Sequence, residues 1–417
     1  MEMDTLNFQG ASYQETNNNN TDLENLNLDD CDFALLSDIC PEKSYDFVNL
    51  ESNVEYILEH VTDSFFRECF SFDKVLVRCL LMDLHRRTFY PYYDPYENIK
   101  GSLSFDMSVL ATLSYLVKGD LSMLDQLPEF DGYTRETIAR SIVKTCEIFV
   151  HFLTPDYITF PSSMDEQHVN KVEFLGKFGV PGVVGVLDCY YIPLQNVPED
   201  EMKMYLHRNI RVPTVAVQLI CDQNYRILDI NSRFSGRTHG SYIWRHSHIN
   251  SIMKHSQKRN PKTWLIADRG YHLTSGLINP YRNSTDPLQS SFNVALNEIQ
   301  KVNLKTFEIL RSRFRCLNTV LPFEHCQASN VITTCATLHN YLLAKLQTID
   351  DDLLYQLPKV NILPNAHQED AFSETAVQNR EFIKGFMFNN SMQVLYQMRK
   401  NSNISFVSSK DDIGSMV

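Results

Sequence analysis

Two aspartates carry the chemistry that this sequence can offer. Asp188 follows the apolar run Pro181-Gly182-Val183-Val184-Gly185-Val186-Leu187, and Asp268 follows Thr263-Trp264-Leu265-Ile266-Ala267. Each run reads as a buried strand, so each acid falls at a carboxyl end, where open α/β sheets place their sites. Two carboxylates brought together there repel unless a proton or a divalent cation neutralises them. Mg2+ and Mn2+ suit such oxygen donors, and the chemistry they support is phosphoryl transfer by a two-metal mechanism. An acid at a strand end is also an ordinary turn residue or helix cap, and spacing alone leaves both readings open.

The elements that must position these acids follow from periodicity. Residues 166–345 read as an α/β domain with a mixed sheet. The two runs above are strands; Thr214–Asp222 and Arg226–Phe234 form a hairpin around Gln223-Asn224-Tyr225; Ser241–Lys254 and Asn293–Arg313 are helices. The run ending at Asp188 is followed by a separate short strand, Tyr191–Leu194, and residues 160–170 read as a connector. Upstream, residues 49–165 are helical. Apolar spacing over Ser108–Val117 ends at Lys118-Gly119-Asp120, Leu121–Leu127 is a short helix stopped by Pro128, and Thr134 caps a helix with Ile138, Ile142, Val143 and Cys146 on one face. These three suggest a helix-turn-helix-like unit in which Arg135, Arg140 and Lys144 would meet nucleic acid, although most three-helix units only pack a core.

Charge divides the chain. With 38 basic and 51 acidic residues in 417, the net charge is −13, which on its face argues against a nucleic-acid binder. Residues 1–60 hold 14 acids and one basic residue, Lys43, so the remainder carries 37 of each. Residues 1–48 therefore read as a disordered acidic arm, in which Asp32-Phe33-Ala34-Leu35-Leu36 has the composition of an interaction segment. Residues 346–417 read as a helical extension, with a helix over Ala376–Phe388 packed on the α/β domain and a mobile end. The ten cysteines form no C-x-x-C pair and suit a reduced, intracellular protein. No segment reads as a leader or a membrane span, so no membrane partner is expected.

Several blocks, in order, resemble the PIF/Harbinger transposases and their domesticated nuclease-like relatives. Gly185-Val186-Leu187-Asp188-Cys189-Tyr190-Tyr191-Ile192 is similar to the family's G-x-x-D-G-T-H-I, Gly236-Arg237-Thr238-His239-Gly240-Ser241 to its G-S-x-H-D-S, and Ala267-Asp268-Arg269-Gly270-Tyr271 to its G-D-S-G-Y. Pro155–Pro161, Pro280-Tyr281, Phe292-Asn293 with Phe307, Arg311–Leu317 and Leu338-His339-Asn340 also fall in the expected places, so the likeness spans about residues 70–345. It implies an RNase H-like, DDE nuclease-type fold in which two aspartates and a glutamate hold Mg2+ or Mn2+ for DNA cutting.

Asp188 and Asp268 match the first two ligands of that scheme. The third fails to match, because Leu304 occupies the glutamate position and Lys305 the basic residue after it. Tyr191 and Leu296 stand at family histidines, Gln300 at an arginine and Gly240 at an extra aspartate. Leucine cannot ligate Mg2+. Glu308, one turn further along the helix, is the candidate replacement, at a displacement of about 6 Å. The resemblance also makes Arg269, Lys305, Arg311, Arg313 and Arg315 candidate DNA contacts. A Myb/SANT-like or chromatin-associated partner is implied, in the nucleus and also the cytoplasm. His246 and His248, two residues apart, read as surface or capping residues, and Lys258–Lys262 as a basic helix end.

The reading is a domesticated transposase relative with a degraded site, acting as a nuclear interaction or genome-regulation factor. The alternatives are an active metal-dependent endonuclease and a DNA-binding module built on the helix-turn-helix-like unit.

Overall fold

The computed structural model describes residues 52–88, 103–207, 211–284, 286–345 and 373–407, all within one compact unit, Asp46–Val417. The acidic arm of residues 1–48 and the aspartates at 350–352 lie outside the described residues. Helices α1 (Ser52–His60), α2 (Asp63–Phe70), α3 (Lys74–Thr88), α4 (Phe105–Lys118), α5 (Arg135–Phe152) and α6 (Met164–Phe178) precede the sheet. Strands β1 (Val183–Pro193), β2 (Thr214–Cys221) and β3 (Ile227–Ser235) follow, then α7 (Gly240–Arg245), α8 (His248–Arg259), β4 (Trp264–Ala267), β5 (Leu277–Ile278), α9 (Pro287–Arg313), α10 (His325–Ala344) and α11 (Glu374–Val407).

The sheet runs β3-β2-β1-β4-β5. Its first three strands are an antiparallel meander, and β4 and β5 add in parallel to β1. This is the mixed, RNase H-like sheet that the sequence implies. The hairpin turns where expected, with the Asp222 carboxylate accepting from the backbone of Asn224 and Arg226 and Tyr225 at φ 66°. Because side chains alternate across a strand, β1 feeds two cores. Val186, Tyr190 and Ile192 face α9 and Leu187 faces α7 and α8, where the register irregularity between Val183 and Gly185 also turns Val184.

The helical segment shares the first of those cores. Helix α4 is buried on nearly every side, and its buried acid, Asp106, is paired with His85. It is capped by Ser104 and closed by Gly119 at φ 85°. Helix α5 begins at the Thr134 cap and packs between α4 and α10. The Thr334 hydroxyl donates to the Cys146 carbonyl across that contact. Asn340 of α10 pins the sheet edge: its Oδ1 accepts from Ile227 N, and its Nδ2 donates to the carbonyls of Ile227 and Tyr157. The boundary expected at 165/166 falls inside α6, the first strand starts at Val183, and the helical segment and the sheet share a continuous core.

Five expectations need correction. Leu121–Leu127 is no α-helix; it holds a single 3-10 turn, Leu124–Gln126, with a second at Pro128–Phe130. The connector at 160–170 contains the start of α6, nucleated by a capping box in which Ser163 and Glu166 satisfy each other's backbone N–H groups. Asp188 lies inside one continuous β1, since antiparallel pairing to β2 carries the strand on to Pro193. The helix of 241–254 is broken at His246-Ser247, where Ser247 caps α8. Helix α9 starts earlier than Asn293, because Asp286 caps it and Pro287 opens it.

The C-terminal helix does pack on the α/β part, through Tyr281 Oη to Glu381, Asn379 to the Ser275 carbonyl, and Phe382 against Trp264. Asn340→Leu would strand two carbonyls and one N–H in the interior. The expected loss is roughly 2–4 kcal/mol of stability, read as a lower urea midpoint at unchanged slope.

Candidate active site

The two aspartates meet where the parallel ladder ends. Leu187 pairs with Ala267 as the last β1–β4 partners, so the next residues, Asp188 and Asp268, stand side by side. Alternation turns both toward α9, with Val186, Tyr190 and Ile266. Asp188 is 6% exposed and accepts from its neighbour Cys189 N at 2.7 Å; Asp268 accepts from Gly270 N at 3.1 Å. Burial, and then the nearby Asp268 charge, push Asp188 up to about 8. Burial likewise raises Asp268. Near neutral pH Asp188 therefore keeps its proton beside Asp268.

Helix α9 is fixed over this pair at three points. Asn293 exchanges hydrogen bonds with the backbone of Tyr281, just past β5. Asn303 donates to the carbonyls of Val186 and Leu219 at 2.7 and 3.0 Å and accepts from Tyr190 Oη at 2.8 Å. Phe307 stacks on Tyr190, with ring centroids 3.8 Å apart and planes within 8°. The stretch between Asn293 and Asn303 thus crosses from β5 to β1, over the end of β4 that carries Asp268.

Leu304 follows Asn303 and packs, half-buried, against the core. Gln300, one turn before it, has both amide atoms buried without a partner. Glu308 is half-exposed, and its charge acts on Tyr190 and Arg311. Among the described residues, no group of three His, Cys, Asp or Glu side chains could hold a metal, so Glu308 is not brought into a triad with the aspartates. At Gly240, a Cβ would lie 2.8 Å from Tyr271 Oη, and that hydroxyl is held by Gln218 Nε2 at 3.1 Å. The space an aspartate would need is closed. Tyr191 projects from the opposite side of β1 to Asp188 and rests on His207.

The basic candidates scatter. Arg269, beside Asp268, and Arg315 are exposed, while Lys305 and Arg311 are half-buried. Arg313 is turned inward: burial lowers it to about 10, and its Nη1 lies 3.4 Å from Nδ1 of His339. Burial and that guanidinium hold the imidazole down at about 3, hence neutral. On α5, Arg135 pairs with Asp125 and Arg140 with Glu136, and Lys144 is half-buried. Sequence reasoning missed Asn303 and Tyr190, the residues that fix α9. Their only trace was a lone Asn between Val302 and Thr306 on the apolar face of the helix.

The donor set is sufficient for one divalent cation, held by the free oxygens of Asp188 and Asp268 with water completing the shell. It falls short of a two-metal centre, since no third acidic, His or Cys ligand joins the pair among the described residues. A bound ion would supply charge neutralisation at a phosphate.

The raised acid has a signature in stability. A carboxyl holding its proton more tightly in the folded chain than in the unfolded one stabilises the fold while protonated. That contribution is complete below about 4 and is lost as pH rises through about 8. Asp188→Asn should therefore melt higher than the parent at pH 8.5, with the gap closing toward pH 5.5. Mg2+ should raise the parent's melting temperature at pH 8.5 and leave the variant's unchanged.

A family model described as DDE superfamily endonuclease matches residues 187–340, from the residue before Asp188 to Asn340 of α10. The proteins named "Putative nuclease HARBI1" from Bos taurus and Homo sapiens are each 25% identical over 293 residues, 69% of this chain and 79% of theirs. The Xenopus laevis protein of that name is 24% identical over 290 residues. No solved structure matches. The ordered aspartates, the 3-2-1-4-5 sheet and these relatives agree: residues 187–340 match the DDE superfamily endonuclease family, and the chain is similar to its Harbinger transposase-derived, nuclease-like proteins.

Proposed function

We propose that this chain is a domesticated Harbinger-transposase relative that retains the fold and does not cut DNA. It acts in the nucleus as an interaction factor in chromatin or genome regulation, with a Myb/SANT-like or chromatin-associated protein as its partner. The observation that supports this is Leu304 at the third-ligand position, on a helix that cannot slide. Bringing Glu308 into the place of Leu304 requires four residues of travel, about 6 Å, which would break every Asn303 hydrogen bond and the Phe307–Tyr190 stack. A catalytic carboxylate tolerates far less displacement.

The recognition-helix reading gains no support, since α5 buries Ile138, Ile142, Cys146 and Phe149 within the core and its terminal arginines are already paired. No helix among the described residues is long and apolar enough to cross a membrane.

Full-length protein incubated with supercoiled plasmid and Mg2+ or Mn2+ should leave the plasmid intact. Nicking that disappears in Asp188→Ala would establish the endonuclease alternative, with Asp188, Asp268 and Glu308 as its acids. Leu304→Glu supplies the missing donor. It should enlarge the Mg2+-dependent rise in melting temperature relative to the parent, by calorimetry at pH 8.5.

A further inference from the structure

In a chain with 51 acidic residues, none stands between Asp229 and Asp268. That interval contains α7 and α8, which cover the sheet face opposite to α9 and the aspartate side chains. Helix α8 buries Ile249, Met253 and Ser256 and exposes Lys254 and Lys258 along its outer side and Arg259 on its flank, with Arg245 exposed at the end of α7. None of these four cations has an ion pair among the described residues. Lys262, beyond the helix, is already engaged over the Phe382 ring at 4.1 Å. Lys254 and Lys258 stand one turn apart on the outer side, Arg259 follows on the flank, and the three span about 8 Å of the axis of α8.

An aromatic platform stands on α7. Tyr242 is 50% exposed. Its ring is held from one side by His246, at 4.0 Å between centroids, and edge-on by Phe234 at 6.1 Å. The His246 Nδ1 lies 2.8 Å from the Tyr242 carbonyl, which fixes the pair.

We propose that the outer face of α7 and α8 binds single-stranded nucleic acid, with a base stacked on Tyr242 and phosphates on Arg245, Lys254, Lys258 and Arg259. Uncompensated cations gathered where no acid stands among them attract a phosphate backbone, and an exposed ring accepts any base, whereas a duplex hides its ring faces. The surface lies across the sheet from the carboxylates, so binding here is independent of whether that pair cuts.

The test is fluorescence anisotropy of a labelled mixed-sequence 20-nucleotide single strand, and of the same sequence as duplex, with the full chain in EDTA. The single strand should bind more tightly. Its affinity should fall with salt at a log–log slope of about −3 for four phosphates, and Lys254→Ala with Lys258→Ala should reduce that slope by about 1.4. Tyr242→Ala should weaken the single strand about tenfold while Tyr242→Phe preserves binding. All of these side chains are at the surface, so thermal melts of the variants should superimpose on the parent. Absence of binding overturns the proposal. So does duplex bound at least as tightly with Tyr242→Ala silent, or binding abolished by Arg269→Ala or Arg315→Ala and untouched by the α8 substitutions.

Discussion

One buried amide sets the register of the molecule. Asn303 uses both of its N–H groups on carbonyls of adjacent strands and its oxygen on a tyrosine of the strand between β2 and β4. A buried polar group costs little when every valence is met and much when one is left over, so this side chain has one acceptable position on the sheet. With the Phe307–Tyr190 stack it clamps β1 on both sides of Asp188. Beside that clamp α9 carries Gln300 and Leu304, neither an acid, and Leu304 packs on the core.

The electrostatics of the site fit that choice. Three carboxylates facing one another in a buried space would demand metal to stay folded. Two can share a proton, and the burial that raises both lets the fold hold the pair without a cation. The other departures push the same way. Leu304 adds apolar packing where a third charge would sit, and Tyr271 fills the volume at Gly240. Each change lowers the cost of keeping the site closed and lowers its capacity to organise metal, as expected where stability and catalytic function draw on the same residues.

Much of this was legible in the sequence because buried strands announce themselves. Val183–Leu187 and Trp264–Ala267 are continuous apolar runs, and the Thr134 and Gly119 helix ends carry their own chemistry. What was not legible depended on distant partners. The persistence of β1 through Asp188 to Pro193 comes from pairing with β2, some thirty residues away along the chain. The break between α7 and α8 turns on Ser247 capping a new helix within a pattern that also fits one continuous helix. Helix α6 had its capping box in plain view, but a mostly polar surface hid its period. Asn303 is the limiting case. An asparagine on an apolar helix face reads as a blemish until the two carbonyls it serves are in place.

Charge needs the same distinction between sum and position. The net −13 belongs to residues 1–60, and the balanced remainder is again a sum. It averages an acid-free interval of 38 residues with acid-rich segments elsewhere. At physiological ionic strength a surface charge is felt over about 8 Å, so an approaching polyanion responds to the cations on α8 rather than to the total. A net charge of zero therefore does not argue against contact with nucleic acid, and the state of the carboxylate site does not bear on it either. Cutting depends on one face of the sheet and contact on the other. Evolution can then discard the first while the second, built from surface side chains that the core does not need, persists under its own constraints.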